Sequence, residues 1–301
     1  MELRHLRYFV AAAELGSVHA AAEQLHISQP SISRQIHDLE EALGATLFSR
    51  SARGLTLTPV GEMFLARAKR ILADVDEARV HATRMAQGLS GRLTLGFIEN
   101  STWGGLLPRV LMQFKQHAPE VDLELLPLNS SDQLAQLDGG RLDGGFVYPF
   151  GGLASHLEMR ALETHDVVVA LPGAWLSNMP RPRRLTDIAD RDFITFPRHI
   201  YPAYFDHLQS ACLALGAPLR SIQTAESETA ILSLVSSGMG AAIVNSANRY
   251  RPPALVELIE LDDLSIPMTL SFVHASSNPN PALRSFLAIL DAERLVAPPR
   301  F

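Results

Sequence analysis

The chain has 301 residues, of which 47% are hydrophobic and 19% are charged, as in a globular protein of two or three domains. Its net charge of −6 does not by itself favour a nucleic-acid partner, and its one cysteine, Cys212, excludes a disulfide within the chain. No apolar run approaches the roughly 18 residues of a membrane span, and the first residues lack the apolar stretch of a signal peptide. We therefore expect a cytoplasmic protein with no membrane partner.

Residues 1–58 are predicted to form three short helices followed by a β-hairpin. Apolar residues recur at helical spacing from Leu3 to Ala13, from Val18 to Leu25 and from Ile32 to Leu43. The second and third of these helices, joined by a tight turn, would form a helix-turn-helix unit. The pattern alone fits a small three-helix core with a solvated polar face equally well. The outward face of the third helix would carry side chains able to contact base edges and phosphates: Gln29, Ser31, Ser33, Arg34 and His37.

The segment after the third helix favours a DNA-binding unit over a three-helix core with a merely solvated polar face. Two β-prone runs between Leu47 and Pro59 flank a Ser-Ala-Arg-Gly turn, which predicts a hairpin wing. Arg53 would lie near the tip of this wing, where an arginine can reach a narrow minor groove. Positive and negative charges balance over residues 1–90, so any DNA binding must come from the placement of Arg34, Arg50 and Arg53 on one surface.

The N-terminal segment resembles the signature of LysR-type transcriptional regulators. The resemblance is carried by Leu3–Phe9, Ala20–Ile36, Leu47–Arg50 and Leu57–Glu62. It implies a winged helix-turn-helix over 1–58, in which Gln29, Pro30, Ser33 and Arg34 approach the major groove and Arg53 enters the minor groove. His19 stands where the family often has a small hydroxyl or basic residue. With Ser31 and Arg50, the expected DNA-contacting set is Gln29, Pro30, Ser31, Ser33, Arg34, Arg50 and Arg53.

Residues 59–88 are predicted to form one long helix that begins after the capping residue Thr58. At heptad spacing, an alanine-rich seam suits close pairing with a second helix, although the helix could instead pack on its own chain. The family resemblance implies pairing between subunits, which gives a dimer and from it a homotetramer. The seam consists of Phe64, Ala68, Ile71, Val75, Ala78, Ala82 and Met85.

Residues 91–301 alternate predicted strands and helices, which indicates an α/β fold of two similar halves. We expect one lobe over about 91–161 and 268–301, and a second over about 162–267. The stretches 96–108 and 140–145 resemble the first lobe of the family's effector-binding domain, which is similar to periplasmic binding proteins. The full expectation is a winged helix-turn-helix (all-α with a β-hairpin wing), a long linker helix and a two-lobed, periplasmic-binding-protein-like α/β domain.

Ligands of open α/β sheets bind beyond the carboxyl ends of the strands, where helix N-termini offer free N–H groups. Ser101 and Ser130 would lie at such positions, where each could equally be a plain helix cap. A loop from Arg198 to Tyr204 would face them with one cation and one aromatic ring, which suits a small organic acid. The resemblance leans toward members that respond to aromatic compounds or their ring-cleavage acids. The effector-binding candidates are Asn100, Ser101, Thr102, Ser130, Arg198, Pro202, Tyr204 and Glu226.

The sequence thus predicts a regulator that binds double-stranded promoter DNA as a symmetric oligomer and responds to a small-molecule effector. RNA polymerase is a candidate further partner. No cofactor, metal site or enzymatic activity is expected, since Gly-x-Ser-x-Gly, paired Cys-x-x-Cys and His-x-x-x-His motifs are absent. The alternative is a periplasmic-type α/β binding or enzymatic protein whose N-terminal helices serve assembly only. Such a protein would have no use for the Gln29–Arg34 face or for Arg53.

Overall fold

The computed structural model describes residues 1–51 and 54–295, and the chain divides into two compact units at Arg84 and Met85. The first unit is a winged helix-turn-helix, as predicted. Gly16 and Gly44 end its first and third helices in the left-handed conformation, at φ of 62° and 63°, which glycine adopts without strain. Its elements are α1 (Leu3–Leu15), α2 (Val18–Gln24), α3 (Gln29–Leu43), β1 (Phe48–Ser51), β2 (Gly54–Leu57) and most of α4 (Pro59–Ala86).

Aromatic packing fixes the wing and the long helix to the three-helix core. The Phe9 ring lies 5.3 Å from the ring of Phe48 at the start of β1 and 5.3 Å from the ring of Phe64 in α4. On α3, Ile32, Ile36 and Leu39 face inward, which leaves the opposite side of that helix exposed. The amphipathic pattern read from the sequence is therefore the one that the fold uses.

The heptad seam of α4 is divided between two uses. Thr58 caps the helix, since its Oγ1 accepts a hydrogen bond from the Gly61 backbone nitrogen at 3.0 Å. Ala68 is fully buried against the first unit, so the expectation that it pairs with a second helix is wrong, and Phe64 is half-buried in the same cluster. From Ile71 onward the seam is more exposed: Ile71 is 39% exposed and Met85 56%, whereas Val75 is half-buried.

The second unit is an α/β domain with two lobes, and its first lobe is built on one five-stranded sheet in the order β4-β3-β5-β12-β6. β3 runs parallel to β4 and β5, whereas β12 is antiparallel to β5 and β6. The elements of this lobe are β3 (Ser90–Phe97), α5 (Leu106–His117), β4 (Glu120–Pro127), α6 (Ser130–Asp138), β5 (Gly144–Val147), β6 (Leu157–His165), β12 (Met268–Ala275) and α9 (Pro281–Arg294).

The second lobe lies between β6 and β12 in the chain. An antiparallel sheet β10-β7-β11 adjoins a parallel pair β8-β9 through a bridge between Phe193 and Ala241. A loop was expected from Arg198 to Tyr204. Its second half is instead the first turn of α7, because this helix begins at Pro202. The elements are β7 (Val167–Pro172), β8 (Asp192–Thr195), α7 (Pro202–Ala214), β9 (Arg220–Thr224), α8 (Glu228–Ser236), β10 (Ala242–Asn245) and β11 (Val256–Ile259).

Candidate functional site

A cavity of about 290 Å³ lies between the two lobes of the second unit. Because β3, β4 and β5 are parallel, their carboxyl ends meet at one edge of the sheet, and the segments that follow them form one wall. The opposite wall comes from the starts of α7 and α8. This is where ligands bind in open α/β sheets.

Four of the eight effector-binding candidates line the cavity: Asn100, Ser130, Tyr204 and Glu226. Asn100 is only 5% exposed, and its Nδ2 donates a hydrogen bond to Glu228 Oε2 at 2.7 Å. The Oγ of Ser130 accepts a hydrogen bond from the backbone nitrogen of Tyr148, the residue that follows β5, at 3.1 Å. These two polar residues therefore already hold the wall together.

The other four candidates do not line the cavity in the described part of the chain, which corrects the expectation for them. Ser101 and Thr102 turn their hydroxyls back to the carbonyl oxygens of Ile98 and Glu99, at 2.6 and 2.8 Å. They serve the local 3-10 turn, because a short hydroxyl side chain satisfies its own backbone first. Pro202 is exposed at the start of α7.

Arg198, the expected cation of the site, is paired elsewhere. Its Nε and Nη2 donate to the two carboxylate oxygens of Asp206 at 2.8 and 2.7 Å, and the side chain is 64% exposed. Asp206 is one turn into α7, so the bidentate pair forms on the outer surface. No arginine, lysine or histidine is found among the described residues that line the cavity.

The sequence reasoning missed the most connected polar group of the site, the carboxylate of Glu228. One oxygen accepts from the Asn245 backbone nitrogen at 2.9 Å, and the other accepts from Nδ2 of both Asn100 and Asn248 at 2.7 Å. Removal from water raises the pKa of Glu228, and these hydrogen bonds lower it in part. The one available signal was the Ser227 N-cap directly before it, which marks the start of α8.

At least three hydrogen bonds within 1–51 and 54–295 cross the cleft between the lobes beside the cavity. Besides the Asn100–Glu228 bond, Thr229 donates to Glu99 Oε2 at 2.7 Å, and Ser131 donates to the Ile200 carbonyl oxygen at 3.0 Å. At least one partner of each bond lines the cavity, so these bonds join the two lobes at the cavity wall.

Aromatic rings form much of the remaining wall. The rings of Phe150 and Tyr204 lie 5.4 Å apart, and those of Phe196 and Tyr201 lie 5.1 Å apart, edge to face. Burial raises the pKa of the Tyr148, Tyr201 and Tyr204 phenols, so all three remain neutral donors at neutral pH. The cavity therefore suits a ligand with an apolar or aromatic body.

On the first unit, the N-terminal part of α3 presents the predicted DNA-contacting face. Gln29, Pro30, Ser31 and Arg34 are exposed and Ser33 is half-buried. Arg34 has no hydrogen bond or ion pair with any residue within 1–51 and 54–295. Arg50 lies in β1, where its backbone pairs with Leu55, and Arg53 lies outside the described residues.

A winged helix-turn-helix with an exposed recognition face, followed by a two-lobed domain with a cavity, defines a ligand-responsive DNA-binding regulator. Residues 3–62 match the family of bacterial regulatory helix-turn-helix proteins of the lysR type, and residues 86–294 match the LysR substrate binding domain. The chain belongs to the LysR family of transcriptional regulators and is not an enzyme. The alternative, in which the N-terminal helices serve assembly only, is thereby excluded.

Similar proteins cover nearly the whole chain. The transcriptional regulator IlvR of Caulobacter vibrioides is 32% identical over 96% of this chain and 97% of its own. AlsR of Bacillus subtilis is 30% identical over 98% and 97%. Full-length CbnR complexed with its target DNA superimposes with a TM-score of 0.81 at 26% identity, covering 98% of this chain and 100% of CbnR. Within the part of the chain that the structure describes, no helix is long and apolar enough to cross a membrane.

Proposed function

We propose that this regulator reads promoter DNA with the N-terminal face of α3, in the cytoplasm where that DNA is found. Arg34 carries the proposal. It is exposed on the recognition helix and has no partner within 1–51 and 54–295, so it is free to form a bidentate contact with guanine. Gln29, Pro30, Ser31 and Ser33 would contact bases and phosphates beside it. Arg50 and Arg53 of the wing would reach the backbone and the adjacent minor groove.

The domains would divide the work as the sequence suggests. Residues 1–58 bind DNA, residues 59–88 link and dimerise, and residues 91–301 bind the effector. Pairing of the α4 seam from Ile71 onward would place two recognition helices on a two-fold operator, and pairs of dimers would give a tetramer.

DNA binding is tested by a gel shift with the full chain and the DNA upstream of its own gene. We expect a retarded complex that survives an excess of unrelated duplex. Equal competition by the unrelated duplex would refute sequence-specific reading, since phosphate contacts alone do not discriminate sequences.

The cavity between the lobes is proposed as the effector site, with Asn100, Ser130, Tyr204 and Glu226 among its contacts. A ligand there shifts the lobe equilibrium only if it binds the two arrangements with different affinity. The three hydrogen bonds across the cleft supply such a difference, because the ligand competes with them or adds to them. In this way occupancy of the cavity would alter transcription.

A bulky residue in the wall tests the location of the effector site. Ile98 lines the cavity, so Ile98→Trp should abolish the thermal shift produced by any small molecule that stabilises the wild-type chain. Ile222→Trp is the matched control, since Ile222 is 50% exposed on β9 outside the cavity. A ligand that stabilises both variants equally binds elsewhere.

A further inference from the structure

The cavity carries an unbalanced negative charge. Four carboxylates line it, from Glu99, Asp132, Glu226 and Glu228, and no basic side chain of the described residues lines it with them. Glu99 and Asp132 accept hydrogen bonds from the uncharged donors Thr229 and Asn129, at 2.7 Å each. None of the four forms an ion pair within 1–51 and 54–295. A cleft lined by one sign of charge concentrates ligands of the opposite sign.

The helix N-termini at the cavity do not offset this charge. Asp132 lies in the first turn of α6 and Glu228 opens α8, so the chain's own carboxylates occupy the positions where an anionic ligand would bind. The capping side chains of Asn129 and Ser227 also take up N–H groups at these two helix ends. A further helix, α7, also starts at the cavity, but it begins at Pro202, which has no N–H to donate.

One buried acceptor in the wall lacks a donor. A carboxylate only accepts hydrogen bonds, so Asn100 must turn its Nδ2 toward Glu228. Its Oδ1 is then left without a partner among the described residues, although the side chain is 95% buried, being 5% exposed. A small side-chain adjustment of Asn100, which lines the cavity, would bring this oxygen to an N–H group on a ligand beside Glu228.

The aromatic residues of the cavity wall also favour a positively charged ligand. Trp103, Tyr148 and Tyr204 line the cavity with Phe150 and Tyr201. The faces of aromatic rings attract ammonium groups, and their edges and faces pack well on an apolar body. A cation with an aryl or alkyl body therefore finds both a charge partner and a packing surface.

We propose that the effector of this regulator is an organic cation, a small primary or secondary amine on an aromatic or apolar body, whose ammonium group binds at Glu228 and Asn100. This inference rests on the proposed function, because it names the chemical class that the effector cavity takes. It replaces the small organic acid expected from the sequence, an expectation that rested on helix N-termini at Ser101 and Ser130 and on Arg198 facing them. Since burial without a counter-ion raises the pKa of Glu228, a bound ammonium would lower it again.

Three probes with one phenylethyl body and different head groups test the charge preference: phenethylamine, phenethyl alcohol and hydrocinnamate. Calorimetric titration of the full chain should show the amine binding at least tenfold more tightly than the alcohol, and the carboxylate most weakly. The proposal is overturned if hydrocinnamate binds as tightly as the amine, or if the amine does not bind.

Charge-removing variants test the residues. Glu228→Gln should weaken phenethylamine at least tenfold while changing the alcohol less than about twofold. Because Glu228 also joins three segments of the fold, Glu226→Gln is the second variant, at an exposed lining residue, with an expected loss of about threefold. Asp190→Asn removes an exposed acid outside the cavity and should leave amine affinity unchanged. Unchanged amine affinity in both glutamate variants overturns the assignment.

A gel shift on the same samples separates this inference from the proposed function. If specific DNA binding persists and hydrocinnamate alone alters the complex, the regulator function stands and the cationic class is wrong. If the amine binds the chain but no specific DNA complex forms, the amine site stands and the proposed DNA reading is wrong.

Discussion

The side chain of Asn100 donates a hydrogen bond to Glu228 at 2.7 Å, although 128 residues separate the two along the chain. Asn100 follows β3 in the first lobe and Glu228 opens α8 in the second, so this bond spans the cleft. It lies in the wall of the cavity that the effector would occupy. The pair therefore joins the two lobes at the wall of the cavity.

Removal of this bond should destabilise the second unit. Asn100→Leu leaves the Glu228 carboxylate with one donor fewer and should lower the free energy of unfolding by about 1.5–3 kcal/mol, the range for bonds to charged groups. Urea denaturation measures the loss. Thr102→Val is the control, since the Thr102 hydroxyl bonds only to its own turn. An equal loss in both variants would mean that the cross-lobe bond contributes nothing.

The pH dependence of stability should carry the signature of Glu228. Burial raises its pKa above the ordinary value of 4.5, so the folded chain holds this proton more tightly than the unfolded chain. The stability that protonated Glu228 contributes is fully present below that ordinary value and is lost as pH rises through the folded pKa. In Glu228→Gln this component is absent, so the melting temperature of the wild type should fall relative to the variant as pH rises above 4.5, the ordinary pKa of the carboxyl. Parallel curves would contradict the raised pKa.

Arg34→Ala should weaken operator binding by about 1–3 kcal/mol if its contact is to a base edge, with some loss of base preference. Gel shifts against the operator and a point-substituted operator measure both effects. Arg79→Ala, an exposed arginine in α4, is the matched control and should retain wild-type affinity. Wild-type affinity in Arg34→Ala would exclude this residue from the DNA contact.

Ile71→Glu should break the proposed pairing of α4 and give monomers that bind half-sites poorly, because Ile71 is a large apolar residue of the seam that is 39% exposed. Ala73→Glu adds the same charge at an exposed position off the seam and should leave the oligomer intact. Sedimentation velocity distinguishes the two. An unchanged oligomer in Ile71→Glu would place the subunit interface elsewhere.

The sequence predicted the DNA-binding unit well because its signals are local. Helical spacing identified the buried side of α3, and Thr58 was recognised as the cap of α4. By contrast, the strand β9 carries five exposed residues, so it had no apolar alternation to reveal it. The long helix α4 was predicted only in part. Its heptad seam was visible in the sequence, but the division of the seam into a buried part and an exposed part at Ile71 depends on packing against Phe9.

By itself the sequence determined the family, the winged helix-turn-helix, and the α/β class with polar residues after parallel strands, because these depend on periodicity and short motifs. Only the tertiary structure decided which polar residues meet in the cavity. Glu228 reaches Asn100 across the cleft, whereas Glu226, two residues earlier, makes no such bond, and Arg198 turns outward to Asp206. Many side chains have similar local conformational preferences, and packing between distant parts of the chain decides which of them become partners. In this protein that packing determined the charge of the cavity.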